Sequence, residues 1–155
     1  MYYSLTFCKN PSRNDSPRVN TWDDWRLIPD SPPIIPTPEP KLNLVEIPGL
    51  AEGALDLTRV PFGVPQYNRM SGNWNFILGE EYIKTRVQRI EILRQYFKAE
   101  TTYVKLEDQP QYWYKGIFIL GTPKIGANTM QIQIGFNLEP RRYLVSNNQA
   151  DTNYP

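Results

Sequence analysis

Six prolines fall between Pro29 and Pro40, in the stretch PDSPPIIPTPEP. Each proline holds its own φ at about −65° and pushes the residue before it away from the helical region. A segment built this way runs extended and polyproline-like, at about 3 Å per residue, and crosses more than about 30 Å. Ile34 and Ile35 are the only apolar pair inside it, too few side chains for a core of its own. Neither flank is complete without the other, so the arm belongs inside one folding unit and does not link two.

The flanks read best as strands. Among 155 residues, 15 prolines and a 13% aromatic share favour sheets and rigid crossings over a helical bundle. The chain is long enough to bury a single sizeable core without staples. Net charge is +1, so nothing electrostatic points to nucleic-acid or acidic-membrane binding. No apolar run reaches transmembrane length, and Met-Tyr-Tyr-Ser does not open a signal peptide, so a cytosol-like compartment is expected. Cys8 is the only cysteine, which excludes an internal disulfide. With no histidine beside it, Cys8 reads as a small apolar strand residue and not as a reactive thiol. For such a chain the sequon Asn14-Asp15-Ser16 is a chance match.

Tyr2–Cys8 is strand-like, and Lys9–Asn20 is a polar loop or arm. Trp22–Ile28 fits a short strand or a helical turn. Leu42–Ile47 is a strand that ends in Pro48-Gly49, where Gly supplies the positive φ of a type II turn. Ala54–Val60 is a short strand or turn, with Asp56 placed to fold its side chain onto the local backbone. Trp74, Phe76 and Leu78 alternate with Asn73, Asn75 and Ile77 in a half-buried strand. Glu80–Ala99 is the one expected helix, with the stripe Ile83, Val87, Ile90, Leu93 and Phe97. Glu80 and Glu81 suit its positive end, Arg94 and Lys98 its negative end. Thr101–Leu106, Gln111–Leu120 and Thr129–Leu138 are further strands. The last sends Met130, Ile132, Ile134, Phe136 and Leu138 to one face and polar, uncharged residues to the other. Residues 144–155 read as a disordered tail.

Candidate chemistry is sparse. Without histidine, Ser-His-Asp and Cys-His arrangements and His-rich zinc sites are excluded. Asp23-Asp24, Glu80-Glu81 and Glu107-Asp108 are adjacent pairs, and neighbours in an extended strand point apart. No Gly-rich phosphate loop is present. No enzyme activity, cofactor or metal is expected. Tyr112-Trp113-Tyr114 puts Trp113 opposite two tyrosines: a stacking platform for sugars or bases, or one core face and one subunit contact. The second reading is preferred, because no basic groove accompanies the platform. Arg141-Arg142 is solvated charge or an inter-subunit ion pair.

One ordered series remains: Trp22–Pro29, the extended Pro32–Pro40, Leu42–Ile47, Pro48–Gly49, Gly53–Thr58, Tyr67–Arg69 and Trp74–Leu78, and later Asp108–Phe118 and the closing Glu139–Tyr143. In order and spacing it resembles the N-terminal domain of phage distal tail proteins, the ring-forming adaptors at the tip of long non-contractile tails. The resemblance covers roughly Trp22 to Tyr143. It implies an α+β fold of two packed antiparallel sheets, like the tail tube (a sandwich or barrel), flanked by one helix and carrying an extended Pro-rich arm. The expected organisation is an N-terminal strand and polar loop over 1–21, the ring-forming domain over 22–143, and the tail over 144–155. The implied function is a virion hub: a homo-hexameric ring, assembled in the bacterial host cytoplasm, that joins tail tube to tip or baseplate. DNA would pass through its lumen without sequence-specific binding, and no membrane is involved. Tail-tube protein and tip or baseplate hub are the implied partners, and Ile34, Ile35, Trp113, Arg141 and Arg142 the candidate interface residues. Two features depart from the pattern: the chain stops soon after Tyr143, without the accessory C-terminal domain of many relatives, and Lys9–Asn20 has no counterpart. The first favours a purely structural hub. A tail-tube subunit and a monomeric carbohydrate-binding β-sandwich are the alternatives.

Overall fold

The computed structural model of the chain describes residues 3–49, 53–59, 63 and 65–155, and of Glu80 and Ile83 the backbone only. In chain order the elements are β1 (Leu5–Cys8), β2 (Arg18–Asn20), β3 (Leu27–Pro29), β4 (Leu44–Glu46), β5 (Ala54–Asp56), β6 (Met70–Leu78), a 3₁₀ segment (Glu80–Thr85), α1 (Arg86–Tyr96), β7 (Thr101–Leu106), β8 (Tyr112–Leu120), β9 (Lys124–Ile125) and β10 (Met130–Leu144). Among the described residues, eight strands form one antiparallel sheet in the order β2-β1-β7-β8-β10-β6-β3, with β9 beside β10; β4 and β5 pair separately.

The expected pair of packed sheets is instead one sheet that curls on itself, with a small second sheet and a helix. The α+β class holds. Curling follows from connectivity, since the edge strands β2 and β3 are separated only by residues 21–26. Thr21 sits in that connection, fully buried. Its N–H donates to the Leu5 carbonyl (2.9 Å), its hydroxyl accepts from the Leu5 N–H (3.0 Å), and its carbonyl accepts from the Leu27 N–H (2.8 Å). One residue therefore ties β1 near one end of the sheet to β3 at the other. Alternation along β6 and β10 then fills the concave side with Trp74, Phe76, Leu78, Ile132, Ile134 and Phe136.

Phe7 is at the centre of an aromatic cluster, 5.1 Å from Phe118, 5.2 Å from Phe97 and 5.9 Å from Trp25 between ring centres. Trp74 stacks on Phe136 at 4.3 Å. Gly116 is required where β8 crosses β10, because a Cβ there would lie 2.3 Å from the Asn137 carbonyl oxygen.

The helix is shorter than its apolar spacing suggested. Residues 80–85 wind as 3₁₀, and the α-helix covers Arg86–Tyr96. Ile90, Leu93 and Phe97 are buried as expected, but Val87 is 71% exposed, and the Ile83 side chain lies outside the described residues. Six residues separate Val87 from Leu93, which at about 100° per residue puts them about 120° apart. A stripe that holds Leu93 loses Val87. Lys9, in the stretch for which the resemblance offered no role, donates to the Tyr96 carbonyl (2.8 Å) and to the Thr102 hydroxyl (3.0 Å), which caps the helix C-terminus.

The expected N-terminal strand is β1, and it lies between β2 and β7 inside the sheet, so the described residues before Thr21 pack with the rest of the fold. Two further expectations change. β10 continues past Leu138 to Leu144, because a bulge between Leu138 and Arg142 absorbs Pro140 and restores pairing with β8. The segment 144–155 folds back. Ala150 bridges Tyr143, the Asp151 N–H donates to the Arg142 carbonyl, and the Tyr154 hydroxyl reaches the Met70 sulfur at 3.7 Å.

Candidate functional site

The convex face of the sheet is polar along β6 and β10. Strict alternation along β6 and β10 places Ser71, Asn73, Asn75, Gln131, Gln133 and Asn137 there, all exposed. They stand in register across the strands, with Asn137 opposite Ser71, Gly135 opposite Asn73 and Gln133 opposite Asn75. On the other side of β10, Asn137 faces Ile117 and Gly135 faces Ile119, which are 37% and 63% exposed. Ser71, Asn73, Ile117, Ile119 and Asn137 line a shallow groove of about 390 Å³. Charged side chains flank this groove, and Lys124 stands beside Asn75, Gln131 and Gln133. Arg69 donates to the Asn137 side chain and to its carbonyl, and Lys115 pairs with Glu139 at 3.8 Å. Amides both donate and accept, so the face holds water without a fixed charge. A polyanion meets no row of cations on it.

A second cluster lies where β10 is bulged. The Arg142 guanidinium is 3.7 Å from the Tyr112 ring centre and 4.5 Å from that of Tyr154, and its Nε donates to Asp151 at 2.8 Å. Hydrogen bonds from the Asn153 N–H and from Arg142 hold the Asp151 carboxyl below the usual carboxylate range. The neighbouring Tyr143 hydroxyl donates to Glu139 at 2.9 Å, and burial followed by that bond pushes its phenol up to about 12. Here the last residues of the chain are fastened to the sheet.

The candidate interface residues divide. Ile34 is 73% exposed, whereas Ile35 packs against its own core. The arm lies on its own protomer. Trp74 Nε1 donates to the Ile34 carbonyl (3.0 Å), Pro33 and Pro38 are buried, and Pro40 bridges Tyr67. Arg141 is exposed, and Arg142 is engaged as described. Trp113 is 1% exposed under the Lys105 ammonium, 5.0 Å from its ring centre, so it offers a neighbouring subunit no surface. Tyr114 is equally buried, and the stacking platform does not exist. The β8–β10 pairing brings Trp113, Arg141 and Arg142 to one end of the sheet, apart from Ile34 beside Trp74.

Ile117 and Ile119 were missed, although the run Tyr114-Lys115-Gly116-Ile117-Phe118-Ile119 carries the signal. Phe118 in the core sends both isoleucines out. Cys8 is fully buried in β1. Among the described residues, no three His, Cys, Asp or Glu side chains gather as a metal would require.

No family model matches this chain, and no curated protein matches it. A search of solved structures finds the SPP1 Dit (gp 19.1) protein, described as a paradigm of the hub adsorption apparatus in phages that infect Gram-positive hosts, with a TM-score of 0.60. The two chains share a fold. The match covers 90% of this chain and 52% of the other at 13% identity, so this chain spans about half the length of the SPP1 protein.

Proposed function

We propose that this protein is a structural component of a phage tail: a distal-tail-type hub that forms a hexameric ring at the tail tip, between tail tube and baseplate. The observation that carries the reading is the fold shared with the SPP1 hub protein over 90% of the chain, reached independently of the motif order along Trp22–Tyr143. Two structural features support it. The β6–β10 strip of the convex face is uncharged and amide-rich, as suits a wall past which DNA slides without sticking. The sheet edges and the isolated β4–β5 pair leave backbone groups that a neighbouring copy would cover. On this reading the ring's partners are the tail-tube protein and the tip or baseplate hub. The protein is a virion component, assembled in the host cytoplasm, and does no chemistry. Ile34, exposed on an arm that is itself pinned to the protomer, is the arm residue offered to a neighbour, with Arg141 as a second contact.

Negative-stain images of the purified protein test the proposal. Single rings with six-fold symmetry support it. Long stacked tubes would make the chain a tail-tube subunit, and isolated small particles at every concentration would refute self-assembly. Ile34→Ser should weaken the rings without lowering the melting temperature of the dissociated protomer, because the side chain is outside the core.

A further inference from the structure

On one of its sides β10 is longer than its partner. Along β8 it stays paired as far as Leu144, whereas β6 begins at Met70, opposite Leu138. Past that point the β6 side of β10 is a strand edge, and the chain fills it with its own last residues. The Asp151 N–H donates to the Arg142 carbonyl (2.8 Å), the Leu144 N–H donates to the Gln149 carbonyl (2.8 Å), and Ala150 bridges Tyr143 antiparallel. Residues 149–151 are in effect one more short strand, added to an open edge.

Side chains complete the contact. On the receiving side, the Arg142 guanidinium lies 3.7 Å from the Tyr112 ring centre, with Tyr114 and Met70 close by. The added segment brings a carboxylate and, three residues on, a phenol. Asp151 accepts from Arg142 Nε at 2.8 Å, with only 8% of its side chain exposed. The Tyr154 ring meets Tyr114 edge-on at 6.2 Å, lies 4.5 Å from the guanidinium, and sets its hydroxyl 3.7 Å from the Met70 sulfur. The connection between edge and segment is less well made. Its turn is closed by the Asn148 N–H on the Leu144 carbonyl (2.8 Å) and the Gln149 N–H on Asn147 Oδ1 (3.0 Å). Asn148, however, holds φ at +57°, and its Oδ1 is buried without a hydrogen-bond partner.

We propose that the Arg142–Leu144 edge is a strand-addition site that takes residues 149–154 of a second copy, and that the segment seen on it is the same ligand bound within one chain. An identical segment from another copy reproduces every contact of the first, the strand bonds, the Arg142–Asp151 pair and the Tyr154 contacts alike. Opening the turn to reach across also releases the Asn148 backbone and gives its Oδ1 access to water. Within one chain the segment is held by its tether; where copies are kept side by side, a neighbour's segment competes at a comparable effective concentration. The inference requires only two copies and does not depend on the ring.

Two full-length chains test it, one with Arg142→Glu and one with Asp151→Arg. Alone, each sets like charges against each other within the chain, and limited proteolysis should remove residues 145–155 at least about tenfold faster than in the parent while the rest of the chain resists. In an equal mixture, Asp151 of the first chain meets Arg142 of the second, and the second chain's substituted segment meets the first chain's substituted edge with opposite charge. Protection should return, together with a complex that contains both chains. A mixture cleaved as fast as its separate components would overturn exchange between copies, and separate chains that keep parental protection would overturn the Arg142–Asp151 contact as its basis. A second measurement avoids charge reversal. A fluorescein-labelled peptide of residues 146–155 is titrated by anisotropy into full-length protein carrying Asp151→Asn and Tyr154→Ser. It should bind this protein at least about tenfold more tightly than the parent, whose own segment competes from its tether. Binding no tighter than to the parent would refute the site.

Discussion

Thr21→Val removes one oxygen and nearly preserves the shape of the side chain. The hydroxyl of Thr21 accepts the Leu5 N–H at 3.0 Å, and both residues are fully buried, so in the variant that N–H has neither its partner nor water. An orphaned buried donor costs about 1–3 kcal/mol, and the added methyl returns less than about 1 kcal/mol through burial. The net loss is about 1–2 kcal/mol. For a chain of this length each kcal/mol moves the melting temperature by about 2–4 °C, which gives a fall of about 2–8 °C. The loss should be local as well as global, because the same residue joins Leu5 to Leu27 across the two ends of the curled sheet. Thermal melts of parent, Thr21→Val and Thr21→Ser, with hydrogen exchange read at the Leu5 amide, make the comparison. Thr21→Ser retains the acceptor and should keep the Leu5 amide protected. A Thr21→Val protein that melts like the parent, with an equally slow Leu5 amide, would refute the claim that this hydroxyl holds the sheet curled.

Ile90→Asp should abolish cooperative unfolding, because a carboxylate without a partner on the buried face of α1 costs several kcal/mol, comparable to total stability. Val87→Asp, three residues away and exposed, should melt within about 0.5 kcal/mol of the parent monomer; equal damage from both would mean the helix is rotated from the position described. The Asp151 carboxyl is depressed in the folded protein, so its contribution is present above the ordinary value of 3.8 and disappears as pH falls through the lower folded value. Residues 145–155 should accordingly become protease-sensitive as pH is lowered below 3.8, and already at neutral pH in Asp151→Asn. Unchanged cleavage in both cases would refute the Arg142–Asp151 fastening.

The strands were legible because period-2 alternation is a direct image of a half-buried sheet. Met130 through Leu138 and Trp74 through Leu78 occupy the faces that their spacing implied. Asp56 likewise folds onto the Thr58 N–H as its turn chemistry indicated. Tertiary facts were not legible. Whether two sheets pack or one sheet curls depends on the partner of the N-terminal strand, and β1 finds it in β7, far along the chain beyond the helix. Val87 was misplaced because successive i+3 steps drift around a helix, and a list of apolar residues does not reveal that drift. Trp113 was misread because the strand pattern gives a side and not a cover; the cover is Lys105 on the adjacent strand. The segment 144–155 is polar enough to suggest disorder, yet its few anchors, Asp151 and Tyr154, meet Arg142 and Met70 only once the sheet is folded. Of the interface candidates, Ile34 and Ile35 are equivalent in sequence and opposite in exposure, since adjacent residues of an extended arm face opposite ways.

Self-assembly into a closed ring is the claim on which the functional account depends. The direct measurement is the mass in solution of the purified full chain, by light scattering behind size exclusion across a wide concentration range. The account predicts a discrete species six times the 18.1 kDa protomer mass, which gives way to protomers only on dilution or in high salt. A constant mass of 18.1 kDa at every concentration and salt condition would contradict it.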